Sequence, residues 1–143
     1  MSRTVDIAAA VVATLNANTF SPTFTAVRAY VPVYELADLE SLHVTVLPVS
    51  VEQDQVDRVA MQELHRVAIG VQQRVDPDDL PAVDALTDLT QAIADYLRDR
   101  PLTDYPAAQW ESAKIDPVYA ADLLETNRTY TGVVTTTYRL LHE

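Results

Sequence analysis

The apolar residues at the start of the chain follow a helical period. Over residues 4–18 they recur three or four positions apart, which places them on one stripe of a helix. The stripe consists of Val5, Ala8, Val12 and Leu15. Thr4 is placed to cap this helix, and Ser21-Pro22 ends any continuation of it. The pattern therefore predicts an amphipathic helix that packs one face on the core.

Two strand patterns follow the helix. Residues 23–31 alternate between two faces, and Pro32 marks the end of the strand or an edge position. Residues 42–51 are rich in β-branched side chains and are apolar on both faces, as in a covered strand. We expect a polar, acidic loop over residues 33–40 between these two strands.

Residues 56–75 fit two periods at once. Their apolar side chains make a helical stripe, but those between positions 67 and 71 also alternate as in a half-buried strand. Gly70 would cost about 1 kcal/mol relative to alanine in a helix interior. The pattern favours a strand from about residue 63 to residue 74, with a polar loop in front of it.

The second half of the chain begins with its clearest helix, over residues 80–99. Asp79 and Pro81 are its start signals. Three shorter elements follow: a strand over 109–116, a brief helical piece over 119–124 and a long strand over 128–141. The order of the main elements, α-β-β-β-α-β-β, predicts one α+β domain over residues 1–143. In it, a largely antiparallel sheet has two main helices packed on one face.

The final strand carries two different faces. Tyrosines and apolar residues alternate with a β-branched ridge of Thr131, Val133, Thr135 and Thr137. The ridge is either an ordinary exposed threonine face or a surface that another subunit covers.

Composition narrows the function classes. The length of 143 residues suits one domain, and the absence of cysteine excludes thiolate metal sites and thiol nucleophiles. Ten Lys+Arg against 21 Asp+Glu give a formal net charge of −11, which argues against wrapping nucleic acid or docking on anionic lipid. No apolar run is long enough to span a bilayer, and no signal-peptide pattern opens the chain. We therefore expect a soluble protein of a reducing compartment.

Candidate catalytic groups are few. The three histidines lack the spacing of a metal motif, so a structural or exposed role is expected for each: His43, His65 and His142. The acidic cluster Asp76, Asp78 and Asp79 is better explained as a solvated turn and helix cap than as a calcium loop, because it lacks the glycine and the terminal glutamate. With only two glycines, far apart, no phosphate-binding glycine loop is present. We expect no catalytic site, no cofactor and no metal.

The order of segments carries a family resemblance. In chain order they are the apolar helix Asp6 to Leu15, Arg28-Ala29-Tyr30-Val31-Pro32, the strand Leu42 to Ser50 running into its proline, a polar loop with Arg58, the strand Arg66 to Val75, a long acidic helix, Ile115 to Leu124, and the closing strand Tyr130 to Leu140. In this order and texture the chain resembles the small tail-terminator and minor tail proteins of long-tailed bacteriophages and prophages. The resemblance covers nearly the whole chain, and the family carries no catalytic motif.

The resemblance implies a structural role. Such proteins form a hexameric ring on the head-proximal end of the tail tube, stop its polymerisation and join the tail to the neck. The implied partners are other copies of the chain, the tail tube protein and a neck or connector protein, with DNA only passing through the lumen and no membrane. The implied location is the virion tail or neck, and the host cytoplasm during assembly. An acidic lumen would let DNA slide without sticking.

Six charged residues are candidates for subunit contacts in such a ring: Glu52, Asp54, Asp57, Arg58, Arg128 and Arg139. We expect Arg58 and Arg128 to pair with the three acidic residues of a neighbour. Exposed pairs of this kind contribute only about 0–1 kcal/mol each, so apolar sheet edges must dominate assembly. Two alternatives stay open. One is a neck or tail-completion protein that joins head and tail, and the other is a small-molecule-binding α+β module.

Overall fold

A computed structural model describes residues 2–30 and 38–142 of the chain. The elements in chain order are α1 (Arg3–Asn16), β1 (Ala26–Arg28), a 3-10 turn (Asp38–Glu40), β2 (His43–Gln55), β3 (Met61–Arg74), α2 (Leu80–Leu97), β4 (Gln109–Ile115), α3 (Ala121–Asn127) and β5 (Thr129–His142). Residues 33–37 of the predicted acidic loop lie outside the described part.

The described strands form one sheet in the order β1-β2-β3-β5-β4. Only the β1–β2 pair is parallel, and the other three pairs are antiparallel. The central strand β3 pairs with β5 along its whole length, from Met61 opposite His142 to Arg74 opposite Thr129. The prediction of an α+β fold with a largely antiparallel sheet is confirmed.

Both long helices pack on the same face of the sheet, which we call the core face. Val46 pairs with Ile69 and Ile69 pairs with Val134, and all three side chains are fully buried. α1 contacts β1, β2 and β3, whereas α2 contacts β4 and β5. The predicted layering is confirmed, and α2 buries one apolar stripe that consists of Leu86, Leu89, Ile93 and Leu97.

The stripe predicted for α1 is only partly right: Ala8 and Leu15 are buried, but Val12 is partly buried and Val5 is not in the core cluster. Ile7 and Val11 are fully buried instead, because contact with the sheet decides which side of the helix faces the core.

The ends of α1 differ from the prediction. Ser2 is the N-cap residue, while Thr4 lies inside the first turn with its hydroxyl buried and without a partner among the described residues. The helix ends at Asn16, several residues before Ser21-Pro22. There the Asn16 amide donates to the Ala26 carbonyl at 3.0 Å, and its oxygen accepts from the Ala26 N–H at 2.7 Å. The helix therefore ends at a tertiary contact with β1 and not at the proline.

The first strand is shorter than the predicted 23–31. Only Ala26, Val27 and Arg28 pair with β2, opposite Val44, Thr45 and Val46. Alternation along a sequence shows which residues are able to form a strand, but a strand extends only as far as a partner pairs with it. Here that partner is a three-residue stretch of β2.

The second strand is longer than the predicted 42–51. Residues 52–55, assigned to a polar loop from their charge, pair with β3 as far as Gln55 opposite Met61. The register shifts between Pro48 and Ser50, so that Val49 forms a bulge. Polarity alone was misleading here because an exposed hairpin tolerates charged residues as readily as a loop does.

The remaining elements agree with the prediction to within a few residues. β3 contains Gly70 in mid-strand, as expected from the unfavourable free energy of glycine in a helix interior. α2 ends at Leu97, and the brief helix α3 is displaced to residues Ala121–Asn127. β5 begins and ends one residue later than the predicted 128–141, at Thr129 and His142. Ends of elements are the least certain part of any pattern-based assignment.

The cap of α2 yields a first test. The Asp79 carboxylate accepts from the Ala82 N–H at 3.3 Å, as predicted for the helix start. We expect Asp79→Ala to lower the free energy of unfolding by about 1 kcal/mol, because a backbone donor of the first turn loses its partner. Denaturant unfolding measures this difference. The neighbouring exposed Asp78→Ala is the control and should change stability by less than about 0.5 kcal/mol; equal effects of the two would show that the cap does not stabilise the helix.

Candidate functional site

Among the described residues, exposed large apolar side chains are concentrated on the β2–β3 hairpin. We call residues 49–61 the hairpin arm. It carries five large apolar residues whose side chains face solvent: Val49, Val51, Val56, Val59 and Met61, exposed by 56%, 41%, 57%, 69% and 38%. Several exposed large apolar side chains on one projecting hairpin make it a candidate interaction site.

The tip of the arm is held by local hydrogen bonds. The Val56 N–H donates to the Ala60 carbonyl at 3.0 Å and closes the hairpin. The Asp57 carboxylate accepts from the N–H groups of Val59 and Ala60, both at 2.8 Å. These two donors lower the pKa of Asp57 below its usual range. Asp57 therefore stabilises the turn and also gives it a negative charge.

Four of the six predicted contact residues lie on this arm: Glu52, Asp54, Asp57 and Arg58. Within the chain, Glu52 already approaches Arg66 at 3.4 Å. Arg139 lies across β3 from Glu52, because both residues are opposite Leu64 in the register. Its guanidinium donates to the Gln109 side chain at 2.9 Å.

Arg128 lies at the other end of the sheet. It is the left-handed C-cap residue of α3, with φ of 52°, and its guanidinium is 3.7 Å from Asp76. The arm and Arg128 are separated by the length of β3, about 40 Å at 3.3 Å per residue. Arg128 is therefore remote from Glu52, Asp54 and Asp57 of its own chain. The structure brings the other five candidates to one end of the sheet.

A buried carboxylate anchors the root of the arm. Glu63 is 1% exposed and accepts from both Nε and Nη2 of Arg3, at 2.7 and 2.6 Å. Gln53 donates to the same carboxylate at 2.6 Å, and His65 Nε2 lies 2.9 Å from it. The Arg3 hydrogen bonds hold the pKa of Glu63 far below its usual range, and burial opposes this effect. The cluster ties the first turn of α1 to both strands of the hairpin.

His65 belongs to this cluster and is 1% exposed. Because Nε2 faces the Glu63 carboxylate, a neutral ring places its hydrogen there and leaves Nδ1 as an acceptor. Nδ1 is buried without a partner among the described residues. The buried ring fits the structural role expected from the sequence. Glu63 and His65 are two positions apart on β3, on the same face as buried Val67. The alternation of a strand could therefore have predicted that both side chains face inward.

The sheet also has an open face, on the side without helices. Between β3, β4 and β5 this face forms a groove of about 400 Å³, which we call the open-face groove. Its lining includes Leu64, Arg66, Lys114, Thr135 and Thr137. Along this face the predicted β-branched ridge of β5 is half-buried at Thr131, Val133 and Thr135 and buried at Thr137, whereas the tyrosines and Val134 fill the core.

Other candidate chemistry is not assembled in the described part of the chain. Asp76 accepts from the Asp78 N–H and Asp79 caps α2, which confirms the turn-and-cap interpretation. Over residues 2–30 and 38–142, no group of three or more histidine or carboxylate side chains is arranged to hold a metal ion. None of the described helices combines the length and apolar character needed to cross a membrane.

No protein-family model matches this chain, and no curated protein matches it either.

Proposed function

We propose that this protein is a structural component of a long-tailed phage or prophage, a ring-forming tail terminator. In this role it caps the head-proximal end of the tail tube, stops tube polymerisation and joins the tail to the neck. Its partners are further copies of itself, the tail tube protein and a neck or connector protein. It acts in the virion and assembles in the host cytoplasm.

The observation that carries the proposal is the hairpin arm. Five large apolar side chains are exposed within thirteen residues of one another on a turn held by its own hydrogen bonds. A surface of this kind is expected of a protein whose task is assembly. The open-face groove adds a second surface on the same chain, and two different surfaces are what a ring subunit needs.

The net charge of −11 is compatible with the same role, since a duplex passing through an acidic lumen is repelled from its wall. The exposed apolar side chains of the hairpin arm favour an assembly protein over a small-molecule-binding module.

Electron microscopy of particles from a phage or prophage lacking this gene tests the proposal. We expect overlong tail tubes without heads, because nothing would stop polymerisation of the tube. Restoring the gene in trans should restore tails of normal length, which is the control. Normal-length tails beside separate filled heads would instead identify a neck or completion protein. Infectious particles of normal form would overturn the phage assembly role.

A further inference from the structure

We propose that the outer edge of β2 over residues 50–55, which we call the arm edge, binds an extended basic segment of a partner protein as an added strand. This inference rests on the proposed function and deepens it, because it names the surface and the chemistry by which an assembly protein of this kind binds a partner other than itself.

The backbone of the arm edge is open to pairing. On its outer side β2 has β1 beside it only as far as Val46, whereas on its inner side it pairs with β3 as far as Gln55. In an antiparallel pair every second residue directs its N–H and C=O groups away from the partner strand. Over residues 50–55 no described strand meets these groups on the outer side. Such a row of unpaired backbone groups is a template for a further strand.

One side of the arm edge is acidic. Glu52 is opposite Leu64, whose side chain lines the open-face groove, so Glu52 and Asp54 both face the side without helices. The Glu52 side chain is 53% exposed and lies 3.4 Å from Arg66. No hydrogen bond or ion pair among the described residues reaches the Asp54 carboxylate. Residues 50–55 include no basic residue, so an added strand is favoured by basic side chains opposite these two carboxylates.

The other side of the arm edge adjoins a cavity. Val51 is opposite buried His65, so it faces the same side of the sheet as α1. Gln53 faces that side as well, because it is opposite buried Glu63. Between the arm and the first turn of α1 lies a cavity of about 340 Å³ whose lining includes Val51, Gln53, Ser2, Arg3 and Thr4. Val51 is 41% exposed and is the apolar part of this lining.

Edge and cavity together define the partner. In strand addition the main-chain hydrogen bonds give affinity, and pockets for alternate side chains give specificity. The partner segment therefore alternates between basic residues, which face Glu52 and Asp54, and aliphatic residues, which face Val51 and the cavity.

A second copy of this chain does not supply such a segment from its own sheet edges. Antiparallel pairing of two arm edges about Gln53 would place Glu52 of each copy opposite Asp54 of the other, and like charges in opposed positions are destabilising. The other edge strand, β4, has a bulge between Trp110 and Ser112, which leaves a regular stretch only over residues 112–115. The chemistry of the arm edge therefore favours a different, basic protein.

Amide hydrogen exchange of the full-length protein tests the proposal. The probe is a ten-residue peptide of alternating lysine and valine, and its control alternates glutamate and valine. We expect the lysine peptide to slow exchange over residues 50–55 and the glutamate peptide to leave it unchanged, because only lysine complements Glu52 and Asp54. The lysine peptide with proline in place of its two central valines should bind at least about tenfold more weakly, since proline removes main-chain donors.

Two double variants separate the arm edge from the general acidity of the chain. Glu52→Lys with Asp54→Lys reverses the charge of the arm edge. Asp84→Lys with Asp88→Lys makes the same change of net charge at two exposed positions of α2. We expect the first variant to bind the lysine peptide at least about tenfold more weakly and the second to change its affinity by less than about twofold.

Four outcomes would overturn the proposal. They are unchanged exchange over residues 50–55 with the lysine peptide, equal slowing by the glutamate peptide, slowing confined to β4, and equal weakening by the two double variants. The gene-deletion phenotype is scored separately. Overlong tubes without peptide binding would leave the terminator role standing and remove this surface. Peptide binding at the arm edge with normal infectious particles would retain the surface and remove the role.

Discussion

Replacing Glu63 by glutamine is expected to lower the free energy of unfolding by about 2–4 kcal/mol. The carboxylate now receives hydrogen bonds from Arg3, Gln53 and His65 at 2.6–2.9 Å. A glutamine amide would turn a donor toward donors and leave the Arg3 charge without its partner. Because the Arg3 side chain is 44% exposed, water recovers part of that loss, which places the expected value below that of a fully enclosed pair.

The effect of Glu63→Gln depends on pH with a definite sign. The pKa of Glu63 is lowered in the folded protein, mainly by Arg3, so the unfolded state binds a proton first as the pH falls. The stabilisation is therefore complete above the ordinary pKa of 4.5 and is lost progressively below it. The difference in unfolding free energy between wild type and variant should be constant near neutral pH and should narrow in acid.

A matched control for this variant exists on the neighbouring strand. Glu52 also faces an arginine, Arg66, but at 3.4 Å and with the carboxylate side chain 53% exposed. Glu52→Gln should change stability by no more than about 0.5 kcal/mol. Chemical denaturation of both variants at pH 7 and pH 4 makes the comparison. Equal, small effects at both positions would mean that the Glu63 cluster does not stabilise the fold.

Replacing Gly132 by alanine should destabilise the protein by about 2–3 kcal/mol. A Cβ atom at this position would lie 2.7 Å from the Val118 carbonyl oxygen, 2.9 Å from the Tyr130 hydroxyl and 3.2 Å from the Thr90 hydroxyl. These three groups form a buried network in which the Tyr130 hydroxyl donates to Val118 at 2.7 Å and lies 3.0 Å from Thr90. Making room for the methyl group requires the segment before α3 to move away from β5 and breaks that network.

Gly70 provides the control for Gly132. It also lies in mid-strand, but a Cβ atom there would meet only the Thr45 carbonyl oxygen, at 4.0 Å. Its φ is not positive, so alanine adopts the same backbone without strain. We expect Gly70→Ala to leave stability unchanged or to raise it by up to about 1 kcal/mol, since alanine restricts the unfolded chain. A similar loss at both positions would indicate a general cost of side chains in these strands and contradict the packing argument.

Much of the fold follows from local pattern. The stripe of α2, the alternation of β3 and β5, and the Asp79 cap are visible in short windows of sequence. The stripe and the alternation follow the periods of 3.6 and 2 residues that one buried face imposes. In α1 the helical period was visible, but the buried side, with Ile7 and Val11, was not. The chain's charge and its lack of cysteine likewise limit the chemistry from composition alone.

Only part of the candidate site could be predicted from such local patterns. Glu52, Asp54, Asp57 and Arg58 stand close together in the sequence, so their joint placement on one hairpin needed no long-range information. Glu63 was missed, because a single glutamate in a strand shows nothing in the sequence of a partner at position 3. Only folding brings Arg3 and Glu63 together across sixty residues of chain.

The sequence by itself therefore determined which segments are helices or strands, because those choices depend on side chains a few residues apart. The tertiary structure alone decided where strands end, as in the short β1 and the long β2, because backbone hydrogen bonds need a partner strand. It also leaves no room for a side chain at Gly132, and it places Arg3 where it stabilises the buried carboxylate of Glu63. These depend on atoms that the chain brings close only when it folds.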